Sequence, residues 1–131
     1  MSSHAQAAEA YLTASVENAP PIKIVRMLYQ GALRFLLTAE AEDPSDPSSA
    51  FIENCGNADA IVAELRLSLR EDVGGEELVQ QLKSLYLFCE TEIARAMLER
   101  TVDPLPGVRS VLVKLLEAWQ HVEVQSTGKA A

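Results

Sequence analysis

Apolar residues recur along this chain at helical spacing in long segments, and breaks rich in proline and glycine separate them. Pro20-Pro21 opens the first segment, with Asn18 as a capping candidate, and the pattern runs to about Glu42. The stretch "EDPSDPSSA" interrupts it. Asp46-Pro47 then offers a second cap-then-proline start, for a segment that reaches about Arg70 before Val73 to Gly75 stops it. Glu76 to about Arg100 forms the third segment. After "TVDPLPG", where Asp103 or a neighbour can cap, the fourth runs from Val108 to about Val124.

On a helix turning about 100° per residue, these segments gather their apolar positions into stripes. The second aligns Phe51, Cys55, Ala58, Ile61, Val62, Leu65 and Leu69. In the third, Leu78, Val79, Leu82, Leu85, Tyr86, Cys89, Ile93, Ala96 and Met97 share one side, with Glu77, Gln81, Lys83, Glu92 and Arg95 largely outside it. The fourth aligns Val108, Val111, Leu112, Leu115, Leu116, Trp119 and Val122. No alternating, strand-like run competes. The prediction is an all-α fold: an antiparallel up-and-down four-helix bundle, with a short extra N-terminal helical segment over Ala5 to Thr13. Residues 1–131 read as a single domain, with a mobile N-terminal segment at 1–17 and a frayed tail at 125–131.

The first long segment departs from this simple amphipathic form. Lys23, Arg26, Gln30, Arg34 and Thr38 define a narrow polar strip, and nearly everything else is apolar. Ile22, Val25, Tyr29, Ala32 and Leu36 occupy one sector, and Ile24, Leu28, Gly31 and Phe35 the next. The arc spans roughly 200°, against the ~100° an ordinary core-facing helix needs. Smaller excesses recur at Leu67, Leu87 and Leu98. Something should cover this surface: the N-terminal segment, a second copy or a client chain.

Composition narrows the field. With 48% apolar residues in 131, the chain can bury a core without disulfides or metal. Its net charge of -8 opposes binding to nucleic acid or an anionic membrane. No apolar run is long enough for membrane insertion, and no basic-then-oily leader opens the chain, which points to the cytosol. Cys55 and Cys89 fall on core stripes and read as small buried residues of a reducing compartment.

Candidate chemistry is sparse. His4 and His121 are the only histidines, and the Glu117–His121 pair is too small to make a metal site. Neither cysteine has a histidine partner in the pattern, and Gly74-Gly75 lacks the spacing of a phosphate loop. Neither an enzyme nor a cofactor is therefore expected. Tyr29, Tyr86 and Trp119 read as core or groove residues whose polar tips reach partners at the bundle rim. The remaining signal is a surface suited to another chain's helices, and a homodimer seam would produce the same pattern.

At "AYLTASVENAPPIKIVRMLYQGALRFLLTA" the chain resembles the FliS-type flagellin secretion chaperones. The likeness rests on Tyr11, Val16, Ala19-Pro20, Met27-Leu28-Tyr29, Gly31-Ala32 and Phe35, and it continues through Ile61, Leu65, Leu69, Gly75, Leu82, Leu85, Tyr86, Phe88, Ala96 and Trp119. Met97 and Glu92 stand where the family usually has an asparagine and a basic residue. The resemblance implies a cytosolic, non-enzymatic chaperone. It would bind the C-terminal segment of flagellin, prevent premature polymerisation, and assist delivery to the flagellar type III export apparatus. A terminus of this kind gains helical order only when its apolar side is buried, so the chaperone must present grooves. On this reading the client-binding candidates are Ile24, Met27, Leu28, Gly31 and Phe35 near the first groove, and Leu67 and Leu87 further along. Tyr11 and Val16 would act from the N-terminal segment, capping the groove when no client is present.

Overall fold

The computed structural model describes residues 22–70 and 75–130, with side chains placed from Lys23 to Arg70 and from Gly75 to His121. Tyr11, Val16, the Asn18 cap, the N-terminal element and the Val73-Gly74 stop lie outside these residues. The described residues form α1 (Ile22–Glu40), α2 (Phe51–Leu67), α3 (Glu76–Glu99) and α4 (Leu105–Ala130).

Where the ends differ from the pattern, local bonding explains it. α2 starts after Ala50 and not after Pro47, because Asp46 folds back on its own turn: its carboxylate accepts the Ser48 amide at 2.9 Å and hydroxyl at 2.8 Å. Asp43 does the same with Ser45 at 2.9 and 2.7 Å, so the two Asp-Pro-Ser units of the linker adopt one repeated turn. α4 starts earlier than the pattern predicts, at Leu105, with Pro106 in its first turn, where a missing N–H costs nothing. It also continues to Ala130, so the backbone of the expected frayed tail extends the helix. Gly75 caps α3 at φ 86° and ψ 157°, a conformation open only to glycine. Past the other end of α3, Arg100 takes the left-handed conformation at φ 52°, and the Thr101 amide closes on the Ala96 carbonyl at 3.1 Å.

α1 packs against α2 and α4, and α3 packs against the same two, so the helices form a closed ring with no close backbone approach across its diagonals among the described residues. The contacts fit an antiparallel arrangement. Gly31 meets Ile61, and just beyond them the Glu42 carboxylate accepts the Ala50 amide at 3.0 Å. Glu40, at the end of α1, pairs with Arg109 near the start of α4. The stripes close the core: Val25, Tyr29, Leu36, Phe51, Val62, Val79, Leu82, Ile93, Leu105, Leu112 and Leu115 are all buried.

A helix at the corner of such a ring faces two neighbours as well as the centre, which accounts for much of the wide apolar arc on α1. The sector through Leu28, Gly31 and Phe35, expected to lack a partner within the bundle, packs against it. Gly31 is buried, a Cβ added there would lie 3.4 Å from Ile61 Cδ1, and Leu28 and Phe35 are half-buried against the core. One added methyl fits this space as an ordinary contact. Gly31→Ala is therefore expected to raise stability by about 0.5–1 kcal/mol through reduced backbone freedom, read as a higher urea midpoint with an unchanged slope.

Candidate docking surface

With the interior closed, the large apolar side chains left outside define the candidate site. Ile24 is 52% exposed, Met27 56%, Leu67 70% and Leu87 45%. Ile24 stays open because the register set by Gly31 and Ile61 places it level with the end of α2. Ile24 and Met27 lie together at the start of α1, whereas Leu67 ends α2 and Leu87 lies beside exposed Phe88 on α3. Leu28, Gly31 and Phe35 do not join them, since they contribute to packing of the bundle.

Leu37, Phe88 and Val113 are exposed apolar residues that the pattern did not single out; Leu98, the most exposed at 87%, it did. Leu37 was legible in principle. Lys23, Met27, Gln30, Arg34 and Leu37 follow one another at alternating steps of four and three, the spacing of a helix-docking seam.

Polar groups between the helices close in pairs. Arg66 of α2 grips Glu90 of α3 through two bonds of 2.6 and 3.2 Å, and Arg109 grips Glu40 in the same two-pronged way. Asp59 lies near the first pair. Burial raises its pKa above the ordinary 3.8, the Glu90 charge raises it further, and Arg66 offsets part of the rise. A carboxyl raised in this way favours the fold while protonated. Its contribution is complete below the ordinary value and is lost as pH rises through the raised one. Asp59→Asn is therefore expected to gain stability relative to the native chain between about pH 3 and about pH 7. Urea midpoints measured across that range check the sign, and a difference that stays flat with pH would contradict it.

Tyr29 and Tyr86 hydrogen-bond to each other in the interior rather than at the rim. The Trp119 indole N–H is buried and has no acceptor among the described residues, where its polar tip was expected to reach a partner. Cys55 and Cys89 are buried free thiols, pushed up by burial to about 11 and about 12, with the Glu90 charge adding to the second. Neither forms a thiolate at neutral pH, so neither is a ready nucleophile. Among the described residues no group of three or more His, Cys, Asp or Glu side chains could hold a metal ion, and no helix is long and apolar enough to cross a membrane.

The class these features describe is a helical bundle with a finished core and apolar outer faces, an arrangement suited to binding other chains. Comparison with known proteins gives the family. The chain belongs to the family described as Flagellar protein FliS, which matches residues 4–126. It is 27% identical over 120 residues to the Flagellar secretion chaperone FliS of Bacillus subtilis strain 168, covering 92% of this chain and 87% of that one. The protein of the same description from Campylobacter jejuni subsp. jejuni is 32% identical over 107 residues, covering 82% and 83%. That from Vibrio cholerae is 29% identical over 118 residues, covering 87% and 86%.

Proposed function

We propose that this chain is a chaperone of flagellar secretion that works in the cytosol. It binds the C-terminal region of flagellin along its apolar outer faces, keeps that region from polymerising early, and assists its delivery to the flagellar export apparatus. The observation that carries this reading is the family match over residues 4–126, to which relatives named as flagellar secretion chaperones belong. The exposed side chains at Ile24, Met27, Leu67 and Leu87 support it physically, because they are large apolar groups left outside the buried core. A disordered client segment would gain helical order by burying its apolar side on these faces. Binding would need no metal, nucleotide or covalent step.

The test is calorimetric titration of the full chain with a flagellin C-terminal segment, followed by a seeded polymerisation assay. The expected result is saturable binding with a negative heat-capacity change, and a longer lag before filaments form. Absence of binding would overturn the proposal. So would a tight dimer in sedimentation that flagellin leaves unaltered, since the apolar faces would then belong to a second copy.

A further inference from the structure

The outward side of α1 differs in charge from the rest of the molecule. Across the chain, acidic residues outnumber basic ones by 19 to 11, yet α1 carries Lys23, Arg26 and Arg34 against Glu40 alone. Glu40 is already bound by Arg109, and Arg66 and Arg95 are likewise closed by carboxylates. Lys23 and Arg34 are exposed, and neither makes an ion pair with the described residues. They lie eleven residues apart on one line of the helix, about three turns or 16 Å along its axis. Between and beyond them Met27, Gln30 and Leu37 complete the seam, all exposed and all within about 50° of that line. The opposite line, through Val25, Tyr29, Ala32 and Leu36, is buried in the core.

We infer that this face is a charge-coded docking seam for a client helix bearing two carboxylates ten or eleven residues apart beside apolar side chains. The spacing follows from Lys23 and Arg34, and the apolar positions from Met27 and Leu37. That the helix belongs to a client rests on the chaperone reading; the chemistry of the seam does not. A second copy docking the same face on itself would set cations against cations, and an anionic membrane would be repelled by the net charge of -8.

The test uses the full chain and two synthetic helical peptides. Both carry leucines at alternating steps of three and four, one with glutamates eleven residues apart and the other with lysines in their place. The glutamate peptide is expected to bind about tenfold more tightly than the lysine peptide, and to weaken several-fold as salt rises. The double variant Lys23→Glu with Arg34→Glu should reverse that preference, with its urea midpoint unchanged. Equal binding of the two peptides, or a preference that the double variant leaves intact, would overturn the seam. Photo-cross-linking from a label on Met27→Cys reads the other occupants: capture of a second copy, or of residues 1–21 of the same chain, in place of the glutamate peptide would also overturn it. The flagellin titration of the native chain is scored separately, so failure of the seam and failure of the chaperone reading give different results.

Discussion

Phe51→Ala is expected to destabilise the bundle by about 3–5 kcal/mol, the largest effect of a single substitution considered for this fold. Phe51 is 1% exposed and is the first residue of α2, at the point where the Asp-Pro-Ser linker delivers the chain to the core. Removing its ring loses the transfer free energy of the side chain and leaves a cavity. The cavity cannot readily collapse, because α2 is held between α1 and α3. For a domain whose total stability is of the order of 5–15 kcal/mol, that loss populates the unfolded state measurably. Urea unfolding should show a much lower midpoint with little change in slope. Phe35→Ala provides the contrast: Phe35 is only half-buried, and the same truncation should cost clearly less. Equal losses at the two sites would contradict the assignment of Phe51 to the interior.

Met27→Asp and Leu87→Asp are each expected to weaken binding of a flagellin C-terminal segment by about tenfold or more, while the free chain keeps its unfolding midpoint. Both side chains are about half exposed in the free protein, so an aspartate there remains hydrated until a partner arrives. A client helix that lays its apolar side on either position must strip water from the carboxylate without offering it a partner, and that cost appears in affinity. Because the two positions are exposed on α1 and α3, which stand diagonally across the ring, their effects should add if the client reaches both. Leu28→Asp would be a poorer probe. Leu28 packs against the core, so its loss would mix folding with binding. Unchanged affinity in both surface variants would remove these faces from the client site.

The interior was readable because each side chain advances about 100° around a helix, so burial on one face appears as spacing. Val25, Tyr29, Ala32 and Leu36 on α1, and Tyr86, Cys89 and Ile93 on α3, are buried as that spacing predicts. Helix ends were less readable. At Asp46 and Asp43 the same side chain can cap a helix or close a turn on its own i+2 residue, and the turn prevails here. The candidate site was legible in part: Ile24, Met27, Leu67 and Leu87 are exposed, whereas Gly31 is buried under Ile61. A helical wheel gives the direction of Gly31 but not the identity of what it faces.

The order of residues alone was thus enough to specify four amphipathic helices, an all-α fold, two buried thiols and a surplus of apolar surface. Each of these depends on local spacing and composition. Partnership was decided only when the helices met. The Arg66–Glu90 and Arg109–Glu40 pairs join residues 24 and 69 positions apart, and the Tyr29–Tyr86 bond spans 57. No periodicity encodes such pairings. Whether an apolar sector of α1 is core or docking face likewise depends on where α2 ends, since Gly31 lies beneath α2 and Ile24 lies level with its end.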